Sequence, residues 1–293
     1  CERGGNLMDT KSQTNNSKKF SIEVMPRTAK TIDNFKRILP DKTTVYVAHL
    51  EDTPIEEMFA TCKRLISEGM IPMPHIPARI ITNLGELEDW VKEYASLGVE
   101  QSLLLAGNGK TPKGELFNSI QLLESETFEK YAFKKIQIAG HPEGNRDIDK
   151  DGSLEKTINA LKAKQKFGQN TKLQIGITTQ FCFDPQPVIK WLEVLESEQI
   201  DLPISLGLAG PTRLQSLIKY AIMCGVGPSI SVLKKRAKDL TKLLLPFEPT
   251  EMIDALNSSK KNKLFKNVHS LHFFPLGGIE ASAAFARNIS TTA

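Results

Sequence analysis

The chain has 293 residues, of which 40% are hydrophobic and 25% charged, with a net charge of +4. That balance fits a soluble globular chain of one large or two small domains. It argues against a nucleic-acid binder, and no apolar run is long enough to span a bilayer. Residues 1–18 are polar and rich in Asn, Lys and Ser; they read as a disordered tail without the apolar core of a signal peptide. Cys1, Cys62, Cys182 and Cys224 are scattered with no C-x-x-C pair, so free thiols in a reducing, cytoplasmic setting are expected, and no metal site.

In chain order, FSIEV at 20–24 alternates like a strand and Pro26 stops it. A helical pattern follows, with Ile32, Phe35 and Ile38 on one face. A second strand covers 44–48. Thr53-Pro-Ile-Glu56 reads as a capping box with proline at the first helical position, and Gly69 closes that helix. A third strand, interrupted by prolines, runs from Ile71 to His75. Asn83 signals the cap of a helix over 87–97. A fourth strand, 101–105, ends in Ala106-Gly-Asn-Gly109, and a helix is predicted over 117–131.

Strands five and six frame a strand–helix–strand unit between Ile136 and Asp184. Each strand ends abruptly in polar residues: His141 and Glu143 after the first, Thr179, Gln180 and Asp184 after the second. In a parallel sheet such strand ends open on one face, where reactive side chains collect. Asp184-Pro185 caps the next helix, and a seventh strand covers 203–206. Helical patterns near 212–223, 229–245 and 250–262 precede an eighth strand at 270–274 and a last helix over 279–288. Eight strands alternating with helices, with no linker between them, predict an α/β fold, a single (β/α)8 barrel over 19–293. An open doubly wound sheet is the alternative, weakened by the missing glycine fingerprint.

Three tempting motifs fail. Gly109-Lys110-Thr111 resembles the end of a P-loop, but the first glycine would fall on Leu104 and Pro112 obstructs the helix. Asp147 to Gly152 resembles the start of a calcium loop, but its closing ligand would be Ile158, so a solvated acidic turn is expected. His269 and His272 point to opposite faces of one strand and cannot share a metal.

Glu23 stands between Ile22 and Val24, facing the barrel lumen. Burial would raise its pKa and let it hold a proton near neutrality. An inward carboxylate paired with lysine or arginine is an equal reading of these residues alone.

The strings AGHPEG, LKAK and TTQFCFD together resemble the methylenetetrahydrofolate reductase family, with weaker similarity from about Phe20 to Phe285. That resemblance implies an oxidoreductase passing a hydride from NADH or NADPH through FAD to methylenetetrahydrofolate. Glu23, in the stretch resembling F-E-F-F-P, is then the general acid. Asn108, Gln180 and Phe181 would contact a small folate substrate, and His75, Gly107, His141 and Lys164 the flavin. Asn108 stands where the family has aspartate, and Thr157 and Ala160 replace further flavin contacts, so weakened FAD binding is expected. A flavin-independent one-carbon enzyme, or a folate-binding protein without turnover, are the alternatives. A homo-oligomer is compatible with either.

Overall fold

The computed structural model describes residues 20–107, 111–145, 147–223, 246–259 and 265–292. Eight parallel strands close into a barrel. In chain order they are β1 (Phe20–Val24), β2 (Thr44–Val47), β3 (Ile71–Pro77), β4 (Gln101–Leu105), β5 (Lys135–Gly140), β6 (Gln174–Thr179), β7 (Ile204–Ala209) and, tenth among the described strands, β10 (Val268–Phe274), which pairs with both β7 and β1. The remaining two, β8 (Thr212–Arg213) and β9 (Pro246–Phe247), form a small antiparallel pair outside the barrel. The (β/α)8 barrel expected from the alternation is therefore what the chain forms.

Strand alternation sorts the side chains. The outward set, such as Ile22, Val45, Ile136, Ile177 and Leu208, is apolar and packs beneath the helices in one continuous core. The inward set is mixed. Tyr46, Met73 and Leu103 form a small apolar cluster inside the barrel. Around them stand Ser21, Glu23, His75, Gln137, Thr178, Ser205 and His272. Thr178 donates to Gln137 Oε1 at 3.2 Å, and a hydroxyl has one proton, so the Tyr46 hydroxyl donates to Thr178 at 2.9 Å. Ser205 and Ser270 share a 2.7 Å bond. These bonds satisfy polar groups that burial alone would penalise.

The first helical pattern resolves into two short helices, α1 (Pro26–Ala29) and α2 (Phe35–Ile38), because Asn34 caps the second through the Lys36 amide. Helix α3 (Ile55–Ser67) starts one residue later than a Thr53 capping box requires: Pro54 is the cap and no side chain caps the end. Asn83 caps α4 (Leu84–Ser96) as expected. The single helix predicted over 117–131 is two, α5 (Ser119–Glu124) and α6 (Thr127–Lys130), since Glu126 adopts φ 58° between them. Helices α7 (Glu155–Gly168) and α8 (Pro185–Ser197) follow β5 and β6, and Asp184 caps α8 through the Gln186 amide. Then come α9 (Leu214–Met223), α10 (Thr250–Ser259) and α11 (Ile279–Thr292). The tail at 1–18 and the helix predicted over 229–245 lie outside the described residues. Among the described residues no helix is long and apolar enough to cross a membrane.

Candidate active site

A cavity of about 340 Å³ opens at the carboxyl ends of the barrel strands. Its lining comes from the residues that end or follow six of them: Glu23 from β1, His49 after β2, His75 and Arg79 from β3 and its turn, Gly107 after β4, His141 after β5, Thr178 and Gln180 from β6; His272 and Phe274 of β10 complete it. Four of the chain's five histidines thus face one space. In each of the four, one buried ring nitrogen has no hydrogen-bond partner within the described structure: Nδ1 of His49 and His141, Nε2 of His75 and His272. Orphaned buried polar atoms are uncommon and point to a bound group that meets them.

Glu23 sits deepest. Its Oε2 lies 3.4 Å from His75 Nε2 and 3.9 Å from His272 Nε2, ion-pair range without hydrogen-bond alignment. Burial pushes the carboxyl pKa up, but the His272 contact, together with the attraction of His75 and His272 when those rings carry a proton, outweighs it, and the pKa lies below its ordinary value. Glu23 is therefore ionised at neutral pH. This corrects the expectation of a proton-holding carboxyl: that argument counted desolvation and missed the two imidazoles. Among the described residues its ion-pair partners are two histidines rather than a lysine or arginine.

Three of the imidazoles are held neutral by their surroundings. Burial holds His75 down to about 4, against the attraction of Glu23. His141 is likewise lowered to about 4 by burial, despite a hydrogen bond with the Gln180 side chain. Burial also lowers His49, whose Nε2 lies 3.0 Å from the Thr53 carbonyl. A carbonyl only accepts, so the His49 proton sits on Nε2 and the orphaned Nδ1 is an acceptor. Among the described residues no group of three His, Cys, Asp or Glu side chains is placed to hold a metal ion.

Of the residues singled out from sequence, Glu23, His75, Gly107, His141 and Gln180 meet at this cavity. Gly107 adopts φ +92°, which favours glycine, and its carbonyl accepts from Arg79 at 3.3 Å. Asn108 lies outside the described residues. Phe181 does not line the cavity: it is buried in a second apolar cluster with Phe183, Leu214 and Leu217, its ring edge-on to Phe274. Lys164 is buried on the inner face of α7 rather than lining the cavity, and burial lowers its pKa to about 8. Thr157 on the same helix turns its hydroxyl to the Leu154 carbonyl. The acidic turn is not merely solvated either, since Asp149 is buried and caps α7 through the Lys156 and Thr157 amides.

His49, Tyr46, Thr178 and His272 were not singled out for the site. His49 follows an apolar strand directly, the same signal that marked His75 and His141. For His272 the signal was alternation within its own strand, which turns it inward beside Ser21 and Glu23.

No family model matches the chain. Solved structures similar to it include a dihydropteroate synthase from Thermus thermophilus in complex with 6HMPPP, at 9% identity and a TM-score of 0.51, covering 94% of this chain and 93% of that one. A Yersinia pestis dihydropteroate synthase with a pterine–sulfa conjugate is 9% identical with a TM-score of 0.49, covering 94% of each chain. The phosphoenolpyruvate phosphomutase of Streptomyces platensis subsp. rosaceus is 13% identical with a TM-score of 0.43, covering 64% of this chain and 67% of that one. Likeness at this level shows the barrel fold alone. The methylenetetrahydrofolate reductase resemblance is corrected here: no family model matches the chain, and the barrel it shares with a dihydropteroate synthase is a likeness of fold alone. The NAD(P)H-dependent folate reductase activity inferred from it is withdrawn with it. FAD and a nicotinamide were expected through that resemblance alone.

Proposed function

We propose that this protein is a small-molecule enzyme that transfers a proton at a carbon next to a carbonyl group, with Glu23 as the general base. The observation that carries this reading is the pairing of an ionised Glu23 carboxylate with buried imidazoles whose free nitrogens face the same cavity. Glu23 takes the C–H proton, and the electron pair of that bond moves onto the carbonyl oxygen. A neutral imidazole N–H then donates to the developing oxyanion. An aligned donor in a desolvated site stabilises such charge far better than water does. Return of the proton from Glu23 to carbon completes an exchange that needs no oxidant or reductant. The volume of about 340 Å³ suits a small organic molecule. Leu103, Leu105 and Phe274 offer it apolar contact, and Gln180 and Thr178 offer polar contact.

The test is a proton NMR screen in D₂O against small oxo acids, aldehydes and lactams, at catalytic protein concentration. Catalysed loss of C–H signal beside the carbonyl of one class supports the reading. Compounds that bind and stabilise the protein but retain that signal would contradict it.

A further inference from the structure

On the proton-transfer reading above, we propose that Ser21 is a positioning residue that fixes His272 as its Nε2–H tautomer, making His272 the donor to the substrate oxygen. Ser21 of β1 and His272 of β10 are direct register partners, both turned into the barrel. The Ser21 Oγ lies 2.9 Å from His272 Nδ1 and 3.5 Å from the Leu271 carbonyl oxygen. A serine hydroxyl has one proton, and the longer contact is at the outer limit of hydrogen bonding. The 2.9 Å contact fits either direction, and the Glu23 carboxylate 3.9 Å from Nε2 decides it by favouring the ring's own proton on Nε2, so that Ser21 donates to Nδ1 as acceptor.

The ring cannot exchange its two nitrogens by turning over. His272 is fully buried, with Tyr46 at 4.2 Å and a tilt of 50° and Phe274 edge-on at 4.7 Å. Its Nε2 has no hydrogen-bond partner among the described residues, and His272 lines the cavity with that nitrogen 3.9 Å from Glu23 Oε2. The titratable groups around it are Glu23 from β1, Tyr46 from β2 and His75 from β3. The opposite tautomer would set a nitrogen lone pair against the Glu23 carboxylate, which is repulsive. With the proton on Nε2, the base and the oxyanion donor flank one spot. A substrate can there lose its proton to one and be held at oxygen by the other.

The tautomer is read without substrate, from nitrogen NMR of protein carrying ¹⁵N-labelled histidine, with His272 assigned by its loss in His272→Gln. The expected wild-type spectrum shows His272 Nε2 with a bound hydrogen and Nδ1 without one. Ser21→Ala should shift the ring proton toward Nδ1, raise the apparent pKa of Glu23, and lower kcat for proton exchange at least about ten-fold with little change in KM. Ser21→Thr, which keeps the hydroxyl, should restore all three. A wild-type His272 protonated on Nδ1, or a tautomer unmoved in Ser21→Ala, would overturn the proposal. Should Ser21→Ala not fold, the wild-type and Ser21→Thr spectra still decide it. A correct tautomer with no exchange in any compound would overturn the proton-transfer reading instead, and exchange with the wrong tautomer would overturn this proposal alone.

Discussion

At the scale of single residues, burial and hydrogen-bond accounting decide most of the chemistry. His75 titrates at about 4 in the fold and near its ordinary 6.5 in the unfolded chain. Between these values the unfolded chain holds a proton that the native state does not, so stability falls as pH drops from 6.5 toward 4. His141 acts in the same direction, and Glu23, with its pKa lowered, adds to the loss below about 4.5. The His75 contribution is on the order of 3 kcal/mol. Urea midpoints should fall clearly between about pH 7.5 and about pH 5, and His75→Gln should flatten that slope; equal midpoints would refute it. Phe181 carries the opposite lesson. Buried among Phe183 and Leu217, it should cost about 3–5 kcal/mol as Phe181→Ala in a denaturation experiment while leaving ligand affinity at the cavity intact. A lost affinity at unchanged stability would return it to the site. Sequence alone placed Glu23 in the lumen correctly, because alternation between Ile22 and Val24 fixes its face. Its charge state was not legible, since that depends on two imidazoles from strands distant in the chain.

At the scale of elements, caps were legible where the capping residue is polar and its helix is long, as at Asn83 and Asp184. They were illegible where the partner is remote. Asp149 accepts from the Lys156 amide at 2.8 Å and the Thr157 amide at 3.1 Å, across a turn whose spacing resembled a cation loop. Burial alone would raise its pKa, but those amide donors hold the carboxyl below its ordinary range. Asp149→Ala should cost about 1–2 kcal/mol and speed hydrogen exchange in the first turn of α7. Unchanged exchange there would show that the cap is dispensable. The close approach of β5 to its neighbours also hid in the sequence. A Cβ on Gly140 would stand 2.5 Å from Ile177 Cγ2, so the glycine before His141 serves packing.

At the scale of the molecule, the barrel was legible because its signal is repeated along the chain: an outward apolar face, an inward mixed face, and a polar cluster where each strand ends. The family was not legible for the same reason. Short polar strings at strand ends are what this architecture produces wherever parallel strands open on one face, so resemblance in such strings follows the fold more readily than the reaction. The lumen of this chain holds a carboxylate beside two buried histidines, His75 and His272. The central claim is that Glu23 abstracts a proton there. The most direct test is the rate of deuterium incorporation into an exchanging compound, measured for wild type and Glu23→Gln at saturating ligand. Glutamine keeps the size of the side chain but cannot accept the proton, so the rate should fall by about 10²- to 10⁴-fold with binding retained. Incorporation at a near wild-type rate in Glu23→Gln would contradict the account.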